Sequence, residues 1–289
     1  MRFLRRGPLR PSRAWLTAGA LLFAVAIWAI TWSLSPTTAD GLPREATPKA
    51  VATTTVVATP TSTFAPGSVT VVGICDSVTS AAVCGCTGFV ESYAANLPSA
   101  AGGPAHAVNL GSGGLTAAGL HALMTTPGPT ASGVAEGDIL LVTIGANDLT
   151  PLLSRWQASG CTTTCYSPAV DAVGSNVAAI LSAAKDLRGD HPTRILVTDY
   201  WNVFADGDVA RASDGPAYLR WSDELTRALN AKICAVARDA GATCVDLYAP
   251  FKGDGSLNPT PLLAADGDHP NAAGNQAISA ALMAATPLP

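Results

Sequence analysis

Short apolar runs rich in β-branched residues alternate along the chain with longer stretches rich in alanine and leucine, beginning near Ser68. The short runs predict five β-strands, at residues 69–74, 106–110, 138–144, 193–198 and 243–247. Most of these runs are apolar throughout, as expected for parallel strands that helices cover on both faces. The pattern therefore predicts an α/β domain built on a parallel sheet.

The longer stretches between the predicted strands have the length of helices. They predict helices at residues 169–187, 217–239 and 271–285, and Asn271 stands where the last helix needs an N-cap. Helices on both faces of a sheet give three layers. We expect one domain over residues 68–289.

Two segments of different composition precede this domain. Residues 14–34 are uncharged and follow an arginine-rich stretch, and about 20 such residues suffice to cross a bilayer as a helix. The arginine excess predicts that the rest of the chain is exported. Residues 1–34 are then either a retained membrane anchor or a signal peptide cleaved near Thr37-Thr38-Ala39. Residues 35–67, rich in threonine, proline and alanine, are expected to form an extended linker.

The charge of the chain limits its partners. It carries 17 Lys and Arg against 21 Asp and Glu, a formal net charge of -4. Several of the basic residues fall in the first thirteen positions, so the domain has no basic face for a phosphate backbone. Nucleic-acid binding is therefore not expected.

Seven cysteines suit an oxidising compartment, where disulfides persist. Cys161 and Cys165 are close enough in sequence to form a disulfide that closes a polar loop. Cys234 and Cys244 flank a predicted helix-to-strand turn, and closing such a loop stabilises by about 3 kcal/mol in the chain-entropy model.

The three remaining cysteines are Cys75, Cys84 and Cys86. A bridge within Cys84-Gly85-Cys86 would be strained, so we expect Cys75 to pair with one of these two. Zinc is the rival interpretation of three clustered cysteines, but no fourth ligand stands at a recognisable spacing.

Four polar strings break the apolar pattern, and they carry the candidate chemistry. In chain order they are Cys75-Asp76-Ser77, residues 109–114, Gly145-Ala146-Asn147-Asp148 and Asp266-Gly267-Asp268-His269. The first three begin at or just beyond the end of a predicted strand. Because sites in open α/β sheets form at the carboxyl ends of the strands, we expect these loops to converge on one crevice.

The strings supply the parts that acyl transfer needs. Ser77 offers a hydroxyl nucleophile, and its own N–H, the Gly114 N–H and the Asn147 amide are donors for an oxyanion. The three-residue spacing lets the Asp266 carboxylate receive Nδ1–H of His269 while Nε2 faces the serine. Taken singly, each string has a structural alternative: in chain order, a helix cap, a glycine turn, an Asx turn and a surface loop. Their joint occurrence at one sheet edge predicts a serine hydrolase.

In this order the four strings resemble the motif blocks of the SGNH, or GDSL-type, hydrolase family, over nearly all of residues 68–289. The resemblance implies that Ser77 is the nucleophile and that Asp266 and His269 activate it. It implies an oxyanion hole formed by the N–H groups of Ser77 and Gly114 and the amide of Asn147. It also implies a flavodoxin-like three-layer α/β/α sandwich that requires no metal or organic cofactor.

One position departs from the family pattern, because Cys75 stands where the first block normally begins with glycine. If that turn needs a positive φ, Cys75 would be strained. Otherwise it packs as a small apolar residue or bridges to Cys84 or Cys86. A catalytic thiol is the less favoured reading, since Ser77 matches the nucleophile position.

The resulting expectation is an extracytoplasmic carboxylester hydrolase that acts on a small-molecule or lipid ester, or on an acylated glycan. Two alternatives stay open: an O-acyltransferase or deacetylase acting on envelope carbohydrate, and a non-catalytic envelope-binding module. Tyr200, Trp201 and Phe204 follow the fourth predicted strand and either line a substrate pocket or, as we favour, pack in the core.

Overall fold

The computed structural model describes residues 68–97 and 104–286 of the 289-residue chain. The predicted membrane-crossing run at 14–34 and the linker at 35–67 lie outside the described residues. Within the two described ranges, no helix combines the length and the apolar character needed to cross a bilayer.

The described residues form one five-stranded parallel sheet. Its strands are β1 (Thr70–Cys75), β2 (His106–Asn109), β3 (Ile139–Thr143), β4 (Arg194–Thr198) and β5 (Thr243–Val245). Their order across the sheet is β2-β1-β3-β4-β5, so β1 pairs with β2 on one side and with β3 on the other. The predicted parallel sheet is confirmed, and each predicted strand end lies within two residues of the observed one.

Ten helices surround the sheet in the described part of the chain. They are α1 (Ser77–Ser80), α2 (Phe89–Asn96), α3 (Ala117–Met124), α4 (Pro129–Glu136), α5 (Thr150–Ser159), α6 (Thr163–Arg188), α7 (Gly207–Ser213), α8 (Gly215–Asp239), α9 (Tyr248–Lys252) and α10 (Ala272–Ala284). Two separate groups pack together: α3, α4 and α8 against α6, and α2 and α9 against α10. Because β3 is buried along its whole length, the sheet lies between these groups.

The three predicted helices correspond to α6, α8 and α10. Asn271 caps α10 as expected, since its side chain accepts a hydrogen bond from the N–H of Gly274. Helix α6 begins at Thr163, earlier than predicted, with Pro168 near its start. Pro168 is the sixth residue of this helix, so it removes the one backbone hydrogen bond that its N–H would donate to the carbonyl of Thr164, and the helix continues through it.

The disulfides partly correct the expected pairing. Cys161 is bridged to Cys165 and Cys234 to Cys244, as expected. Cys84, however, is bridged to Cys86. Between them Gly85 has a φ of 56°, a conformation that glycine adopts without steric cost and that permits so tight a reversal.

The expectation that Cys75 pairs with Cys84 or Cys86 is therefore wrong, and the position of Cys75 explains why. Cys75 is the last residue of β1 and is fully buried. Its thiol faces β3, where Sγ donates to the carbonyl of Leu141 at 3.1 Å and accepts from the N–H of Thr143 at 3.2 Å. The thiol is thus held by the sheet, away from the exposed turn that holds the other two cysteines.

Candidate active site

Ser77 is the first residue of α1, immediately beyond the carboxyl end of β1. Asp76 precedes it as the N-cap, and its side chain accepts a hydrogen bond from the N–H of Val78 at 3.0 Å. The Asp76 N–H continues the sheet pairing by donating to the carbonyl of Thr143 at 3.0 Å. The Val78 N–H is therefore satisfied by the cap, and the half-buried Ser77 stands at the rim of the sheet.

Asn147 opens a 3₁₀ turn just after β3. Gly145 has a φ of 126°, and a Cβ atom there would lie 2.7 Å from Val173, so only glycine fits this bend. One amide hydrogen of Asn147 is donated to the carbonyl of Leu115 at 3.0 Å. The second amide hydrogen is left for another acceptor, which orients this side chain as a hydrogen-bond donor.

Gly114 lies in the turn that follows β2, with a φ of 75°. The turn is tied to the end of β1 because the Ser112 N–H donates to the carbonyl of Cys75 at 3.0 Å. A Cβ atom at Gly114 would meet nothing within 4 Å, so the positive φ, and not crowding, favours glycine here. The turn sits beside the Ser77 turn, but Gly114 does not itself border the cavity described below.

The Asp266–His269 loop precedes α10. Nδ1 of His269 lies 2.7 Å from a carboxylate oxygen of Asp266, but 4.0 Å from that of Asp268. The other Asp266 oxygen accepts the backbone N–H groups of Asp268 and His269, at 3.0 and 3.1 Å. Burial alone would raise the pKa of Asp266, but these hydrogen bonds outweigh it and hold the pKa below its usual range. Asp266 is thus an ionised partner that fixes the imidazole ring.

A cavity of about 400 Å³ joins these elements. Its wall includes Ser77, Asn147, Asp266 and His269, which come from three loops far apart in sequence. Among the described residues, no hydrogen bond links Nε2 of His269 to the Ser77 hydroxyl. Such catalytic hydrogen bonds commonly tighten only when substrate is bound, and both groups border the same space.

Tyr200, Trp201 and Phe204 serve both roles considered for them. Each is at least nine-tenths buried, and each also borders the cavity. Tyr218 of α8 borders it as well, with its hydroxyl donating to the carbonyl of Ala205 at 3.0 Å. Sequence reasoning missed Tyr218 because nothing in the pattern of a long amphipathic helix marks which turn faces a distant loop.

Cys75 sits next to the turn that carries Ser77 without strain, since it is an ordinary strand residue paired with Thr143. Burial raises the pKa of the Cys75 thiol to about 12. A thiol with so high a pKa is not a nucleophile at neutral pH. The structural role is therefore the better account of the departure from the family pattern.

A buried ion-pair network is connected to the Asp266–His269 loop and helps to hold it in place. Lys252 is almost fully buried, and its amino group lies 2.7 Å from Asp206 and 2.8 Å from Asp223. The backbone N–H of Asp206 in turn donates to the carbonyl of Gly267 at 2.7 Å. The network thus connects α8 and α9 to the loop that carries His269.

The model of the GDSL-like lipase/acylhydrolase family matches residues 74–277 of the chain. This range contains all four polar strings, from Cys75-Asp76-Ser77 to Asp266-Gly267-Asp268-His269. The chain belongs to this family and is a serine ester hydrolase. None of the curated proteins matches it.

Solved structures of similar fold include lipases and esterases. The lipase Lip_vut3 from a goat rumen metagenome is 19% identical, with a TM-score of 0.63 over 75% of this chain and 97% of that one. A putative GDSL-like lipase from Parabacteroides merdae is 20% identical, with a TM-score of 0.56 over 78% and 99%. A catalytic mutant of Axe2, an acetylxylan esterase from Geobacillus stearothermophilus, is 18% identical, with a TM-score of 0.53 over 76% and 96%. These likenesses support the fold.

The network predicts that Lys252→Met strongly destabilises the protein. Asp223 keeps a second cation, Arg227, at 2.8 Å, but the buried Asp206 carboxylate loses its ion-pair partner, and an uncompensated buried charge typically costs about 3–5 kcal/mol. The matched control is Lys232→Met, because Lys232 pairs with Asp171 on the surface, where an ion pair contributes about 0–1 kcal/mol. Urea unfolding of both variants measures the difference. A Lys252→Met variant as stable as the control would contradict this account.

Proposed function

We propose that this protein is an extracytoplasmic carboxylester hydrolase that works through an acyl-enzyme on Ser77. The observation that carries the proposal is the hydrogen bond between Asp266 and His269 at the wall of a cavity that Ser77 also borders. A nucleophile, a base and an orienting carboxylate in this arrangement are what acyl transfer through a serine requires.

In the first half-reaction, the Ser77 hydroxyl attacks the ester carbonyl while Nε2 of His269 takes its proton. Asp266 stabilises the imidazolium that forms, because its carboxylate accepts Nδ1–H. The C–O bond of the ester then breaks, and His269 returns the proton to the departing alcohol. In the second half-reaction, water repeats these steps on the acyl-enzyme and releases the acid and free Ser77.

Three donors stabilise the negative charge that develops on the carbonyl oxygen. They are the N–H groups of Ser77 and Gly114 and the free amide hydrogen of Asn147. Asn147 is suited to this role because its other amide hydrogen is fixed on Leu115. Leu115 directly follows Gly114, so the two donors are held by the same turn. Preorganised donors of this kind need no rearrangement as charge develops.

The cavity favours a small substrate group. A volume of about 400 Å³ is at the lower end of the range for small-molecule sites, and Phe204 and Val203 supply apolar wall. Asp214 and Asp268 make another part of the wall polar and acidic. We infer a short acyl group esterified to a hydroxyl-rich alcohol, a class that includes acetylated carbohydrates. The fold similarity to an acetylxylan esterase is consistent with this choice.

The proposed location rests on the sequence and on the disulfides. The arginine-flanked apolar run at 14–34 predicts export. Three disulfides among the described residues suit an oxidising compartment better than the cytoplasm.

The nucleophile assignment predicts that Ser77→Ala abolishes ester hydrolysis. Loss of a catalytic serine typically lowers kcat by about 10⁴-fold or more. The measurement is the hydrolysis of p-nitrophenyl acetate, together with labelling by a fluorophosphonate. Ser175→Ala, an exposed serine on α6, is the control and should behave as wild type. Labelling that survives in Ser77→Ala would place the nucleophile elsewhere.

The oxyanion assignment predicts that Asn147→Ala lowers kcat by about 100-fold or more with a much smaller change in KM. Its amide would act mainly on the transition state, so its loss should appear in kcat. Asn96→Ala, at the exposed end of α2, controls for the substitution itself. Unchanged turnover in Asn147→Ala would remove this residue from the site.

The proposed location predicts that alkaline phosphatase fused after residue 67 is active in bacterial cells, because that reporter needs an oxidising compartment. The same fusion with residues 14–34 deleted should be inactive. Equal activity of the two fusions, or an inactive full-length fusion made in normal amount, would rule out export through this segment.

A further inference from the structure

Asp76 is a buried carboxyl group one residue before the proposed nucleophile. Only 1% of its surface is exposed. One of its oxygens accepts the Val78 N–H at 3.0 Å and so caps α1, which begins at Ser77. The other oxygen accepts the hydroxyl of Tyr200 at 2.6 Å. The orientation of the Ser77 turn therefore depends on a carboxyl group that Tyr200 holds from the opposite side.

Tyr200 is itself held firmly. It follows β4 and is 1% exposed. Its backbone N–H donates to the side-chain oxygen of Asn230 at 3.1 Å, and its carbonyl accepts the Asn230 amide at 2.7 Å. Asn230 lies in the long helix α8, so the hydroxyl of Tyr200 is placed by a rigid element. A chain of buried polar contacts runs from α8 through Tyr200 and Asp76 to the Ser77 turn.

The charge of Asp76 gives these contacts a second consequence. Burial raises its pKa to about 6, although the hydrogen bonds from Tyr200 and Val78 act against this rise. At neutral pH the carboxyl group is largely ionised, next to the Ser77 N–H that is assigned to the oxyanion. The hydrogen bond from Tyr200 favours the ionised form, in which one carboxylate oxygen accepts the Tyr200 hydroxyl and the other accepts the Val78 N–H, so it keeps Asp76 in the protonation state that caps α1.

We propose that Tyr200 is a positioning residue for catalysis, whose hydroxyl fixes Asp76 and thereby sets the orientation and the electrostatic environment of Ser77. This role rests on the proposed function, because it presumes that Ser77 is the nucleophile. Tyr200 acts through Asp76 and needs no contact with substrate.

The test is a double-mutant cycle on Asp76 and Tyr200. Tyr200→Phe removes only the hydroxyl and should lower kcat for p-nitrophenyl acetate, and the rate of fluorophosphonate labelling, by about 10- to 100-fold. This range corresponds to the contribution of one hydrogen bond to a charged group. KM should change by less than about twofold. In an Asp76→Asn background, adding Tyr200→Phe should cost less than about twofold more, since the partner through which it acts is already altered.

The matched control is Tyr93→Phe, another buried tyrosine, whose hydroxyl contacts Thr286 away from the cavity. It should retain wild-type kcat even if its thermal stability falls, which separates a positioning effect from general loss of packing. The proposal is overturned if Tyr200→Phe keeps kcat within twofold of wild type, or if its loss is equally large in the Asp76→Asn background. A folded wild-type protein that neither hydrolyses nor labels would instead refute the proposed function, and the role of Tyr200 with it.

Discussion

The site depends on one constraint, the parallel pairing of β1 with neighbours on both sides. Because β2 and β3 run in the same direction as β1, all three strands end at one edge of the sheet. The loops that follow them carry Gly114, Ser77 and Asn147. The strand order reverses at β1, which opens a crevice at that edge where ligands bind in sheets of this kind. A different strand order would separate these loops however well each one was formed.

The same crevice forces polar groups into the interior behind it. An unpaired buried polar group costs several kcal/mol, so a partner within the protein stabilises the fold. Asp76 finds one in Tyr200, and Lys252 finds two in Asp206 and Asp223. These pairs also connect the site loops to the helices, so that satisfying buried groups and positioning the site are achieved by the same contacts.

Much of the architecture could be predicted from the sequence because its signals are local. The apolar runs that became β1 and β3 bury side chains on both faces, and Asn271 capped its helix as its residue type indicates. The short helix α2 was missed, since eight residues with one buried face carry little periodicity. The pairing of Cys84 with Cys86 was also missed. It depends on the backbone conformation at Gly85 and on the direction in which Cys75 points. Neither can be predicted from the sequence spacing of the cysteines.

In the candidate site, too, the features with a local sequence signal could be predicted and those that depend on long-range packing could not. Ser77, Asn147, Asp266 and His269 could be selected because each belongs to a short string with a recognisable chemistry and position. Tyr218 and the contact between Tyr200 and Asp76 could not, because they join residues more than a hundred positions from the first string through the packing of α8 and β4. The sequence thus indicates the proposed reacting groups more readily than the groups that hold them in place.

The central claim is that Ser77 is the nucleophile and that its own N–H, the Gly114 N–H and Asn147 receive the oxyanion. The most direct measurement is a crystal structure of the protein inactivated by a phosphonate ester, which mimics the tetrahedral intermediate. The account predicts a phosphorus–oxygen bond to Ser77, with the phosphonyl oxygen about 2.7–3.1 Å from all three nitrogen donors. An adduct on another residue, or a phosphonyl oxygen that points away from Asn147 and Gly114, would contradict it.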